Sequence, residues 1–86
     1  MKIEFSSNFL RQAKKLSGKE KSILAERIEI FKLNSNDQRL KSHALTGRLK
    51  GLFSFSLNYS KRVVFMYVEK DKALLVDVGA HEKVYR

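Results

Sequence analysis

Among the side chains of types that move protons or hold phosphate, five stand out as candidates: His81, His43, Arg62, Lys50 and Tyr85. A histidine exchanges protons near neutral pH, because its unperturbed pKa is about 6.5. There is no cysteine, which excludes disulfides and thiolate metal sites. No phosphate-binding glycine loop, paired-glycine fingerprint or His-x-x-x-His metal helix is present. Two histidines without a carboxylate cluster make a poor metal site, so neither a metal nor a cofactor is expected, and nothing supports a nucleophilic triad. The remaining chemistry uses a substrate that brings its own nucleophile. RNA does so through its 2′-hydroxyl. Cleavage then needs a base for that proton, cations around the charged phosphorus centre and an acid for the leaving 5′-oxygen.

Each of these residues also has a plainer reading. His81 could be a surface histidine at a strand end, and His43 a loop residue that orders the turn at Thr46-Gly47. Arg62 could be the solvated start of a strand, Lys50 one of many surface lysines, and Tyr85 a cover for the core edge. Residue types and spacing leave both readings open.

Charge narrows the class of partner. Eighteen Lys and Arg face nine Asp and Glu, a net charge of +9 on 86 residues. That excess favours a polyanion, nucleic acid before an anionic membrane surface, although an acidic protein would also satisfy it. From Gln38 to Val68 there is no acidic residue, and Arg39, Lys41, Arg48, Lys50, Lys61 and Arg62 all fall there. A solvated face with only structural duties usually mixes its signs. Lys41, Arg48, Lys50, Lys61 and the terminal Arg86 are therefore the candidate RNA-binding cations.

The elements that must position these residues follow from pattern. Eighty-six residues make one small domain, 1–86. No apolar run approaches the roughly 18 residues of a membrane span, and the N-terminus lacks the apolar region of a signal peptide. No membrane partner and a cytoplasmic location are expected. Lys2-Ile3-Glu4-Phe5 alternates as a short strand. A helix follows to about Leu16, with Phe9, Ala13 and Leu16 on one face. Ser17-Gly18-Lys19-Glu20 matches a capping box and opens a second helix, about Gly18 to Leu33, with an apolar stripe of Leu24, Ile28 and Phe31 widened by Ile23 and Ile30. Arg27 is placed on or near its outer face. Arg39 to Gly51 reads as an ordered basic loop.

Three strands complete the chain. Phe53, Phe55, Leu57 and Tyr59 alternate with Ser54, Ser56 and Asn58, which gives one apolar face and one polar face toward solvent or ligand. Arg62 to Val68 is apolar on both faces and reads as a central strand. Glu69 to Lys72 is a hairpin turn. Ala73 to Val78 is a buried strand that Gly79 is expected to end, leaving His81 at the sheet rim. The expected fold is α+β: a strand, a helical hairpin, then a three-stranded antiparallel meander, with the helices on one face of a four-stranded sheet.

The second half of the chain resembles the RelE/ParE superfamily of toxin–antitoxin toxins, and within it the RelE/YafQ-like RNA-cleaving branch. The matching pieces are His43-Ala44-Leu45-Thr46-Gly47, Leu49-Lys50-Gly51, Phe53 to Asn58, Arg62-Val63-Val64-Phe65, and Val76-Asp77-Val78-Gly79-Ala80-His81-Glu82-Lys83-Val84-Tyr85. The order of elements also matches. The resemblance implies an mRNA interferase, an endoribonuclease that cleaves mRNA at the ribosome and is neutralised by a cognate antitoxin. It implies that His81 takes part in proton transfer, that Arg62 stabilises phosphate, that His43 matches the histidine before the Leu-Thr-Gly turn, and that Tyr85 stacks on or orients RNA. Two positions depart from the branch. Asp77 stands where many YafQ-like members carry arginine, and Ser56 or Asn58 stands where they carry a strand histidine. ParE-like members share the fold, inhibit DNA gyrase and generally lack the terminal histidine. Gyrase inhibition and a non-catalytic basic RNA-binding module are the alternatives.

Overall fold

The computed structural model describes residues 1–85. Strand β1 (Lys2–Phe5) leads into helices α1 (Ser7–Ala13) and α2 (Gly18–Leu33). A 3₁₀ turn (Gln38–Leu40), strand β2 (His43–Ala44) and a second 3₁₀ turn (Gly47–Leu49) follow. Strands β3 (Phe53–Ser56), β4 (Lys61–Glu69) and β5 (Lys72–Ala80) form a meander, and a single-turn helix α3 (His81–Val84) follows directly. No helix among the described residues is long and apolar enough to cross a membrane. Arg86 lies outside the described residues.

The α+β class and the order strand, helices, meander match expectation. The sheet does not. It has five strands rather than four, in the order β1-β5-β4-β3-β2, and it is mixed. β1 pairs parallel with β5, Lys2 opposite Lys72 and Phe5 opposite Leu75. The chain leaves β1 through the helices and returns along the far edge, so the partner of β1 is the last strand of the meander, β5. The fifth strand lies inside the segment read as a loop. It is two residues long, His43 opposite Ser54 and Ala44 opposite Phe53, too short to show a period. The turn at Thr46-Gly47 is present, with Gly47 at φ 64°, a conformation that suits glycine.

The capping box forms as expected. Ser17 Oγ accepts from the Glu20 amide at 3.1 Å, and Glu20 Oε1 accepts from the Ser17 amide at 3.0 Å. The first helix stops at Ala13, three residues short of expectation. Lys15 and Leu16 instead donate to the Gln12 and Ala13 carbonyls, an i to i−3 pattern that tightens the exit, and Leu16 still reaches the core.

The core lies between the helices and one sheet face. Phe31 of α2 stacks on Phe55 (centroids 5.2 Å apart) and meets Phe65 edge-on at 4.7 Å. Val63, Leu75 and Val78 close around them. The bulge in β5 serves α1. Pairing steps from Val64–Asp77 to Phe65–Leu75, which leaves Val76 unpaired. Its carbonyl accepts from Ser6 Oγ (3.1 Å) and Asn8 Nδ2 (2.9 Å), while Ser6 Oγ caps α1 by accepting from the Phe9 amide.

Two further expectations need correction. Gly79 does not end its strand: β5 runs through Ala80. A Cβ on Gly79 would sit 3.5 Å from Val84 Cγ1, so the position marks where α3 packs down on the sheet. Tyr59 is fully exposed rather than part of the apolar face, because β3 stops at Ser56 and the chain turns through Ser60.

Candidate functional site

The turn between β3 and β4 is the frame on which the site is built. Asn58 Oδ1 accepts from the amides of Ser60 (3.1 Å) and Lys61 (2.9 Å), an Asx-type turn. Glu20 clamps this turn from α2. Its carboxylate takes Lys61 Nζ at 2.8 Å and Asn58 Nδ2 at 3.4 Å. The bond from Lys61, then the Ser17 amide, hold the Glu20 carboxyl down at about 2. One glutamate therefore caps a helix and fixes a turn 38 or more residues away.

The turn fixes two of the expected residues. Arg62 Nη1 donates to Ser56 Oγ at 3.2 Å and to the Asn58 carbonyl at 3.1 Å. Among the described residues every bond of this guanidinium is on Nη1, which leaves the edge formed by Nε and Nη2 with donors that could meet an oxyanion. The His81 amide donates to the Ser60 carbonyl at 3.2 Å, which ties the first residue of α3 to the same turn. Ser56 and Asn58, the positions without the branch's strand histidine, are thus the acceptors that aim Arg62.

Behind His81 stands Tyr85. Their rings meet edge to face with centroids 4.3 Å apart. The Tyr85 hydroxyl shares a hydrogen bond with Ser54 Oγ, and Ser54 is completely buried. Ser54 alternates with Phe53 and Phe55, so α3 covers the sheet face opposite Phe31. The polar face of β3 is therefore occupied in part by the chain's own C-terminal turn. Tyr85 supports His81 from behind and does not line the cleft in front of it.

In front of these residues lies a cleft of about 610 Å³. It is lined by Arg27, Arg39, Lys41, Ser56, Asn58, Tyr59, Arg62 and His81. Lys41 reaches it from a left-handed position, φ 51°, after the first 3₁₀ turn. Arg39 is engaged with Asp37: Nε and Nη2 each donate to one carboxylate oxygen at 2.9 Å. That bond, with the Arg39 amide, holds the Asp37 carboxyl at about 2. No carboxylate is among the lining residues, so the cleft concentrates positive charge.

Other expected site residues are elsewhere. His43 borders a separate, smaller cavity with Asn36, Ser42, Phe53 and Tyr67, and its Nδ1 lies 3.3 Å from the Lys41 carbonyl. Arg48 and Lys50 are exposed around the second 3₁₀ turn, away from the cleft. Lys61 spends its charge on Glu20. Asp77 accepts from the Val78 amide and does not line the cleft. Among the described residues, no group of three or more His, Cys, Asp or Glu could hold a metal ion.

No family model matches the chain, and no curated protein matches it by sequence. Its shape does have counterparts. E. coli YafQ superposes with a TM-score of 0.82 at 15% identity, covering 98% of this chain and 97% of that one. A copper-bound mutant toxin from Helicobacter pylori gives 0.80 at 24% identity, covering 98% of each. The fold is that of the RelE/ParE-superfamily toxins. A YoeB–YefM complex from Staphylococcus aureus has it too, with a TM-score of 0.77 at 19% identity over 94% of this chain and 97% of that one. On this RelE/ParE fold, Arg27, Arg39 and Tyr59 line the cleft without having been among the candidate site residues, and Arg27 is the one expected on the outer face of its helix. The signal was available: it lies three residues after Leu24 and four before Phe31, both buried, so helical spacing turns it inward.

Proposed function

We propose that this chain is the toxin of a type II toxin–antitoxin system and an endoribonuclease that cleaves mRNA at the ribosome, held inactive by a cognate antitoxin. The observation that carries the reading is the single cleft in which Arg62 and His81, fixed by the same turn, face a common space with Lys41. The 2′-hydroxyl gives up its proton to solvent water as its oxygen attacks phosphorus, and the bond to the 5′-oxygen breaks. The products are a 2′,3′-cyclic phosphate and a 5′-hydroxyl. Arg62 receives the charge that builds on the non-bridging oxygens, through donors already aimed. His81 supplies the proton that the leaving 5′-oxygen takes. His43 lies outside the cleft, so this mechanism has one histidine rather than two. For the antitoxin, the relevant neighbours are complexes named as DinJ-YafQ toxin-antitoxin and YoeB-YefM. An acidic segment that covers the cationic cleft would gain its capture rate from charge.

The test is RNA cleavage with and without translating ribosomes, with product ends identified. His81→Ala is expected to lower the rate about 10²- to 10⁴-fold, the usual contribution of a general acid–base group. His81→Gln is expected to fail as well, since glutamine bonds but does not transfer a proton. Cleavage by His81→Gln at nearly the parental rate would reduce His81 to a structural role. A parent protein that spares RNA yet stops supercoiling by gyrase would replace this reading with the ParE-like one.

A further inference from the structure

Arg27 is a cation without an assigned partner. It is half-buried on α2, and its Nε is the one buried side-chain polar atom among the described residues with no hydrogen-bond partner. An unmet buried donor is costly and calls for an explanation. The nearby carboxylate does not supply one. Arg27 contributes to the field that lowers Asp37, but the recorded side-chain bonds to Asp37 come from Arg39. No ion pair to Arg27 occurs among the described residues. Around the same cleft stand Arg39, Lys41 and Arg62, whose like charges make the arrangement unfavourable until an anion enters. The cations come from two sides of the fold. Arg62, beside His81, belongs to the sheet and its turn. Arg27, Arg39 and Lys41 belong to α2 and the 3₁₀ turn that follows it. The cleft volume of about 610 Å³ lies within the span of roughly 300–1,000 Å³ typical of ligand sites, larger than one phosphate needs.

We propose that Arg27, with Lys41, forms a second phosphate subsite that binds the RNA linkage next to the scissile one. Resting on the ribonuclease reading for which linkage is cut, the proposal deepens it: the substrate is held by two successive phosphates. Arg62 takes the reacting phosphate, and the α2 side takes its neighbour. Arg27 has a binding role and takes no part in bond making. Its fork supplies paired donors that lysine lacks.

The proposal is tested by binding to short 2′-O-methyl RNA oligonucleotides, which lack the nucleophile. One linkage at a time is replaced by a neutral methylphosphonate, and affinity is read by fluorescence anisotropy across a salt series. For the parent, two adjacent replacements are expected to weaken binding, each about tenfold, as loss of a charged hydrogen bond implies. Arg27→Gln is expected to lose the penalty at one of the two linkages and to reduce the salt slope by about 0.7. Arg62→Gln is expected to lose it at the other. Arg27→Lys, which keeps the charge, is expected to keep the salt slope and lose part of the linkage penalty. Unchanged penalties and slope in Arg27→Gln would overturn the subsite, as would loss of binding to an acidic antitoxin segment with RNA binding intact. These oligonucleotides cannot be cut, so the result stands apart from whether His81 transfers a proton.

Discussion

The bond between Tyr85 and Ser54 permits a prediction whose sign depends on which partner is removed. Ser54 Oγ is completely buried, and among the described residues the Tyr85 hydroxyl is its one hydrogen-bond partner. Tyr85→Phe therefore strands a buried hydroxyl, at a cost of about 1–3 kcal/mol. Ser54→Ala leaves the other partner, but Tyr85 is half-buried and its hydroxyl can turn toward water. The expected cost is that of an ordinary net hydrogen bond, about 0.5–1.5 kcal/mol. In the double variant neither polar atom remains, so its cost should fall below the sum of the singles by about 0.5–3 kcal/mol, the range for groups in contact. Urea unfolding measures this. With a slope near 1 kcal/mol per M for a small protein, Tyr85→Phe should move the midpoint down by about 1–3 M with the slope unchanged. The Tyr85 ring that supports His81 survives in Phe, so cleavage by the folded variant should stay close to parental. Additive costs, or a Ser54→Ala variant less stable than Tyr85→Phe, would refute the argument.

Acid should loosen the site before it unfolds the rest. Glu20 is held at about 2 against an ordinary 4.5, so its contribution is complete above the ordinary value and is lost as pH falls from there toward about 2; unfolding of Glu20→Gln across this window should depend less on pH than that of the parent. The same variant should also lower cleavage at neutral pH, because Glu20 braces the turn that holds Arg62 and His81. Phe31→Ala removes the ring that joins α2 to Phe55 and Phe65 and should cost about 3–5 kcal/mol in chemical unfolding, a large part of the roughly 5–15 kcal/mol that keeps a domain folded.

Short-range features of this fold are written in the sequence pattern, and the long-range pairing is not. The capping box at Ser17 and Glu20, the stripe of α2 and the strands from Phe53 to Val78 follow from spacing within a few residues. The partner of β1 does not. Alternation in Lys2–Phe5 identifies a strand but carries nothing about residues 72–75, with which it pairs. Alternation predicts that the polar face of β3 meets solvent or ligand, yet Ser54 on that face is buried because α3, four residues long, folds back over the sheet. The backbone freedom of Gly79 suggests a strand end. Its absent side chain matters instead for the close approach of Val84. Tyr59 was assigned by extending a period past the end of its strand. In the site, Arg62, His81 and Lys41 line one cleft. Residue type and the resemblance both group His43 with them, and edge strand β2 puts it beside another cavity.

The cleft is cationic because no carboxylate lines it, while four carboxylates pair with lysine or arginine, not because every basic residue points there. Glu20 binds Lys61, Asp37 binds Arg39, Glu4 binds Lys72 and Glu29 binds Lys32. Each pair lowers the repulsion of a chain with a net charge of +9. Two of these pairs also build the site. Glu20 braces the turn that aims Arg62, and Asp37 fixes Arg39 at the cleft wall. No such pair reaches Arg27, Lys41 or Arg62 among the described residues. These are the cations whose charge a phosphate chain would neutralise with the least competition from the protein itself. Uniformly spread lysines would bind a polyanion as well, but without a preferred register. On the ribonuclease reading proposed above, guanidiniums set on α2 and on β4, with His81 lining the same cleft, would give a bound strand one position in which a particular phosphorus faces His81.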